Sequence, residues 1–176
     1  MRLRVVVSSV FAILIFTAPA AHAQGAWQDI TLSASGIDYD LSGTGTTTGV
    51  VASVTRSLSP HVALEMRSLF ARPCQQFQSC QDVGPATLIA PEAQLRYRWS
   101  AGRLAPYVGA GLGASLLRSS IHSDWDPTVS FSAGTAVRLT DRLAVTGEFR
   151  LRGHEWRFIG TRTEIAAGLA WRVQGF

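Results

Sequence analysis

The chain has 176 residues, a formal net charge of +4 at neutral pH and 16% charged residues, against about 25% in ordinary soluble domains. All sixteen basic residues are arginine, with no basic helix, basic tail or aromatic-interleaved basic stretch, so the high isoelectric point does not indicate a nucleic-acid partner. After residue 23 no apolar run reaches the roughly 20 residues that a helix needs to cross a bilayer, which excludes a helical membrane protein.

Residues 1–23 read as a secretory signal peptide to be cleaved: Arg2 and Arg4, an apolar stretch from Val5 to Phe16, Pro19, then the small-residue triplet Ala21-His22-Ala23. The apolar stretch is too short for a transmembrane anchor. Residues 24–176 form the mature domain, with fourteen arginines against twelve acids and a net charge of +2.

From Ile30 onward the dominant signal is alternation with period two, which sends successive side chains to opposite faces of a strand. It recurs eight times. The apolar faces begin with Ile30, Leu32 and Ala34, then Val50, Ala52 and Val54, then Val62, Leu64, Met66 and Phe70, then Ala93, Leu95, Tyr97 and Trp99. They continue from Val108 to Leu116, from Val129 to Leu139, from Leu143 to Leu151 and from Ile165 to Val173. The opposite faces carry Ser and Thr, the glycines 109, 111 and 113, and charges of both signs.

Tight turns around Ser59-Pro60-His61, Ala101-Gly102-Arg103 and Thr140-Asp141-Arg142 alternate with longer polar links at 40–48, 71–90, 118–127 and 153–163. Short turns on one side and long loops on the other are the outer-membrane pattern, with the short side periplasmic. The sequence therefore predicts an all-β fold, an eight-stranded antiparallel up-and-down transmembrane β-barrel. Pro91 lies inside the fourth run, where a missing N–H predicts either pairing that starts near Glu92 or a bulge.

Periodicity alone does not say which face points inward. A soluble lipocalin-like barrel would have the apolar face inside and a charged, Lys/Glu-rich exterior, whereas a polar face of Gly, Ser, Thr and mixed-sign charges suits a narrow lumen with the apolar face on lipid. Glycines 109, 111 and 113 would leave room for Arg96, Arg98 and Arg138, and arginine introduced at Gly49 or Ser53 should be tolerated better than at Leu112 or Phe131. Buried charges must be paired. The lumen acids Glu65, Glu92, Glu148 and Glu164 face Arg67, Arg96, Arg98, Arg138, Arg150, Arg152 and Arg172. Counting from the short turns puts Glu65 near Arg96 and Glu164 near Arg152. The expectation is a plugging ion-pair network and no open pore. Tyr97, Trp99 and Trp171 fall near the periplasmic strand ends, where amphipathic rings favour the membrane interface.

Ala105-Pro106-Tyr107-Val108-Gly109-Ala110-Gly111-Leu112-Gly113, the Ala170-Trp171-Arg172-Val173 ending and the terminal Phe176 resemble the eight-stranded outer-membrane barrel superfamily that includes the OmpA transmembrane domain and OmpX. That resemblance implies a bacterial outer-membrane protein in contact with outer-membrane lipids and lipopolysaccharide, without a cofactor, whose C-terminal aromatic is read by the barrel-assembly machinery. Phe176 departs from the parity of Leu169, Trp171 and Val173, so the usual alternating C-terminal signature is broken at Gln174. Some barrels of this size are lipid A deacylases with a late His-x-Ser pair. Here the region reads Arg152-Gly153-His154-Glu155-Trp156, with Trp in place of the serine. Loop residues His122, Asp124 and Asp126, and the pair His154 and Glu155, read as solvated rather than metal-binding. The favoured role is a non-enzymatic, monomeric barrel with a structural or loop-binding function. A lipid A-modifying enzyme or a small-solute channel is the alternative.

Cys74 and Cys80 are the only cysteines, in an exported chain. Export favours a disulfide, with two free thiols or a metal pair as the alternatives. Placed between the third and fourth strands, the bridge would lie in a surface loop. Replacing both cysteines by serine should leave heat-modifiable gel migration intact and raise protease cleavage of that loop on whole cells. Loss of the double variant from the outer membrane would show that the bridge holds the barrel itself.

Overall fold

The computed structural model describes residues 28–39, 45–72, 86–99, 102–118, 123–154 and 157–173. Residues 1–23, Cys74, Cys80, His122, Glu155 and Phe176 lie outside the described residues. The strands are β1 (Gln28–Tyr39), β2 (Gly45–Ser57), β3 (Val62–Ala71), β4 (Thr87–Arg98), β5 (Leu104–Arg118), β6 (Ser123–Arg138), β7 (Leu143–His154) and β8 (Arg157–Val173). Each pairs antiparallel with its chain neighbours, and β1 closes on β8 through registers such as Ile30↔Trp171 and Leu32↔Leu169. Closure leaves no sheet edge, which is what allows a β-structure to sit in hydrocarbon.

Two of the short turns are built alike. In the β2–β3 turn the Ser59 hydroxyl accepts a hydrogen bond from the Val62 amide at 3.0 Å, and in the β6–β7 turn Thr140 Oγ1 accepts from the Leu143 amide at 3.0 Å. A hydroxyl at the first turn position thus satisfies the amide that re-enters the next strand. In the β4–β5 turn Gly102 has φ of 64°, the left-handed conformation that a side chain disfavours.

The opposite ends differ from the expectation. Strands β2, β4, β6 and β8 begin at Gly45, Thr87, Ser123 and Arg157, so much of the sequence read as loop at 40–48, 71–90, 118–127 and 153–163 is paired strand. At the start of β4 alternation fades because both faces are apolar, with Leu88-Ile89 opposite Leu116-Leu117, while the ladder continues. At 45–48 and 123–127 the paired strand is instead rich in Gly, Thr, Ser and Asp, the residues that read as loop. Asp124 and Asp126 accordingly belong to β6, opposite Leu117 and Ser115, and His154 ends β7 rather than standing in a loop. The longest interval between consecutive described strands is 72–86, of which 73–85 lie outside the described residues.

Pro91 neither delays pairing nor makes a bulge. The β3–β4 register runs unbroken through Ser68↔Pro91, and β4 pairs with β5 on both sides at Ile89↔Leu116 and Glu92↔Gly113 without a shift. The pairs opposite Ala90 and Pro91 are simply missing from the β5 side, where the absent N–H would have donated.

The apolar face points outward: Leu112 is 58% exposed, Phe131 51% and Ile165 66%. Glu65, Glu92 and Arg150 are each at most 2% exposed inside the barrel. A second interior layer was not visible in the alternation. Towards the long-link end, Ile37, Val51, Leu69, Ala71, Leu88 and Ala90 pack together with Leu117 as an apolar cap inside the lumen. Trp125 is exposed on β6, opposite Leu116. Twelve residues of tilted strand separate it from Val137, a rise of roughly 30 Å, which puts this indole at the outer border of the lipid band.

Gly49, on the lumen face of β2, has no room for the arginine that parity alone allows. A Cβ there would stand 2.7 Å from the Phe70 carbonyl oxygen and 3.0 Å from the Ala71 methyl. Thr146, which borders an internal cavity, is the better lumen control. Leu112→Arg should reduce insertion into lipid, by about 2 to 4 kcal/mol near the midplane, whereas Thr146→Arg should insert like the parent. Refolding yields into vesicles measure the difference, and equal impairment would count against the assignment of faces.

Candidate functional site

Four arginines and four glutamates meet in the middle of the lumen, delivered by β3, β4, β7 and β8. The alternating register sets their heights: Arg67 lies opposite Glu92, Glu65 opposite Gln94, and Arg150 opposite Glu164. Arg150 is at the centre. Its guanidinium donates to Glu92 Oε1 and, from Nη2, to Glu148 Oε1 at 2.8 Å, and lies 3.6 Å from Glu65 Oε2. Arg67 bridges Glu148 at 3.0 Å and Glu164 at 2.5 Å. Arg96 Nη2 is 2.5 Å from both Glu65 and Glu148, and Arg152 Nη2 reaches Glu92 at 3.1 Å and Glu164 at 3.5 Å. The set is neutral and every member touches at least two of opposite sign.

Neutral donors complete it. Ser130 donates to Glu92 Oε1 at 2.5 Å, Tyr107 donates to Glu148 Oε2 at 2.8 Å, and Gln94 donates to Ser132. Tyr107 is also the platform under Arg96, whose guanidinium carbon stands 4.3 Å from the ring centroid. Parity gave a signal for this residue, since Tyr107 shares the face of the glycines at 109, 111 and 113. The sequence reading did not use it.

Space over those glycines is filled by different side chains from those expected. A Cβ at Gly109 would collide with the Gln94 amide, and one at Gly111 would lie 2.7 Å from Glu92 Oε1. Arg96, Arg98 and Arg138 do not occupy that space. Strand tilt carries Gln94 and Glu92 diagonally across β5, while Arg96 turns onto Tyr107.

Three arginines of the expected network also sit elsewhere. Arg98 and Arg172 lie nearer the short turns, where they share Asp29 at 3.9 and 3.1 Å, and Arg98 donates to Ser57 at 2.6 Å. Arg138 has no carboxylate partner among the described residues. Its strand position opposite Ala144 is four residues nearer the short turn than Gly134, which pairs with Glu148. These side chains border a cavity of about 580 Å³ at the short-turn mouth. Around the same mouth stand Tyr97, Trp99 and Trp171, all exposed, with Tyr97 and Trp99 edge to face at 4.9 Å and His61 stacked on Tyr97 at 5.9 Å.

At the other rim, Arg72 and Arg118 are exposed, each two residues beyond an outward apolar side chain, Phe70 and Leu116. No metal-binding group of His, Cys, Asp and Glu occurs among the described residues.

A closed eight-stranded barrel with a greasy exterior and an ion-paired interior is the architecture of an outer-membrane protein. The chain belongs to the outer membrane protein beta-barrel domain family, which matches residues 8–172, and its location is the bacterial outer membrane. Among solved structures it is similar to neisserial surface protein A, with a TM-score of 0.62, 12% identity, and coverage of 85% of this chain and 97% of that one. The N-terminal barrel domain of Pseudomonas aeruginosa OprF gives a TM-score of 0.56 at 16% identity over 82% and 97%. The attachment invasion locus protein Ail of Yersinia pestis, solved with the heparin analogue sucrose octasulfate, gives 0.54 at 12% identity over 85% and 99%. These likenesses establish the fold. No curated protein matches the sequence.

Removing one member of the network strands a buried charge, which costs about 3 to 5 kcal/mol, whereas removing a pair together is close to neutral. Arg150→Met should therefore lower the temperature at which the folded gel band converts to the unfolded one, and adding Glu92→Gln should restore much of it. A single variant as heat-resistant as the parent would show that the network contributes nothing to stability.

Proposed function

We propose that this protein is a non-conducting, non-enzymatic barrel that lends integrity to the outer membrane, binds lipopolysaccharide at its outer rim and presents its outward strand ends to the cell surroundings. The observation that carries the reading is the filled lumen. The neutral network spans the interior from β3 to β8, and the apolar cap of Ile37, Val51, Leu69 and Leu88 lies over it. A solvated ion crossing the barrel would have to break both.

Arg72 and Arg118 support the lipid contact. Each stands just above the outward apolar band, at the level where the phosphates of lipopolysaccharide begin, and guanidinium forks suit phosphate oxygens. The Ail complex with sucrose octasulfate is a case of a polyanion held by a barrel of this fold. Against hydrolysis of lipid A stands the Arg152-Gly153-His154 end of β7, which offers a histidine without the serine two residues later. The same reading has residues 1–23 direct export, Phe176 engage the assembly machinery and the mature chain act as a monomer.

Planar bilayers containing the purified protein should show no conductance steps, and the lipid A mass spectrum of an overexpressing strain should match that of the parent strain. The charge-reversal variant Arg72→Glu/Arg118→Glu should retain less lipopolysaccharide on purification. Discrete channel events would sink the plugged barrel, and deacylated lipid A would sink the non-enzymatic role.

A further inference from the structure

The cavity at the short-turn mouth lies beneath the plug, whose Arg96 and Tyr107 border it, and far from the outer rim. We infer that it is a binding site for a phosphate dianion, entered from the periplasm. Its volume of about 580 Å³ is space for on the order of twenty waters, enough for a diphosphate or a phospholipid headgroup. Its wall is built from Asp29, Arg98, Arg138 and Arg172, with Asp141 and Arg142 on the turn at the rim. Charge decides what belongs inside. The central network is neutral and contributes nothing to the balance. Asp141 and Arg142 offset each other at the exposed turn. Among the described residues, three guanidinium groups and one carboxylate, Asp29, remain inside beside the network, and Arg98 and Arg172 share that carboxylate at 3.9 and 3.1 Å.

The residual charge of the described residues is therefore +2, partly enclosed by low-dielectric walls that strengthen its field. Arg138 sharpens the point, because among the described residues it has neither a carboxylate nor a hydrogen-bonding partner for its side chain. An arginine fork without a partner, facing two others, is the geometry in which a doubly charged tetrahedral oxyanion accepts bonds from several directions at once. A carboxylate would leave a positive charge uncompensated. Trp99 stands both at this mouth and in the interfacial aromatic group, so the opening is level with the headgroups of the inner leaflet. The phosphate can thus come from a lipid headgroup or from a soluble periplasmic compound.

The test uses the mature barrel refolded in a maltoside detergent, titrated calorimetrically with inorganic pyrophosphate in one arm and with dihexanoyl phosphatidic acid in the other. Saturable one-to-one binding in at least one arm is expected, weakened by added salt. Binding of the lipid alone assigns the headgroup as the source, and binding of pyrophosphate assigns a soluble phosphate. Arg138→Gln should weaken the binding at least tenfold with heat-modifiability unchanged, and Arg138→Lys should weaken it less. Should Arg138→Gln fail to refold, Thr146→Glu, which puts a carboxylate at the cavity wall, must weaken binding by a similar factor. Absence of saturable binding in both arms, or equal affinity for the parent and the refolded variants, overturns the assignment.

Discussion

Eight full charges inside a membrane-spanning structure can coexist only as a neutral, mutually bonded set, and the barrel is arranged around that requirement. The carboxylates of Glu65, Glu92, Glu148 and Glu164 are held by Arg67, Arg96, Arg150 and Arg152 at heights fixed by strand register. A slip of one residue in any contributing strand would send its charges into lipid and its apolar side chains into the lumen. Such a network contributes little net stability compared with a well-packed apolar core. Its larger effect is to make every wrong register expensive, and so to select one closed barrel from many that differ by a shift of the ladder.

Arginine suits this task better than lysine. Its fork reaches two or three acceptors at once, as Arg150 does with Glu92 and Glu148, and its flat face rests on an aromatic ring, as Arg96 does on Tyr107. Glycines on the facing strand then act as clearance. The Gln94 amide and the Glu92 carboxylate occupy the volume that side chains at 109 and 111 would have taken.

Much of the architecture was legible in the sequence because lipid and lumen demand opposite side chains at every second residue. The strand count and the division into two faces follow from that demand, the choice of outward face rests on the Gly, Ser, Thr and mixed charges of the polar one, and the three short turns follow from their turn residues. Legibility ended where the demand relaxed. At the outer third Val50-Val51, Leu69-Phe70 and Leu88-Ile89 are apolar on both faces, because the lumen there is filled by a cap instead of by ions. Alternation fades without the strand ending, so Leu88-Ile89 read as part of a loop at 71–90 although they are paired strand. Heights within the lumen were only partly readable. Parity places Arg98, Arg138 and Arg172 on the same face as the network, but strand tilt leaves them at the mouth with Asp29.

The unequal strand lengths carry one more consequence. β5, β6 and β8 run for 15, 16 and 17 residues, against 10 in β3, and about 9 to 11 suffice to span the hydrocarbon. One flank of the barrel therefore rises out of the membrane as hydrogen-bonded sheet while the other stops near its surface. Anything that docks on the raised flank meets a wall already fixed in shape. Such a partner loses its own freedom on binding but does not have to freeze that of the barrel, an entropic saving that flexible surface loops do not offer.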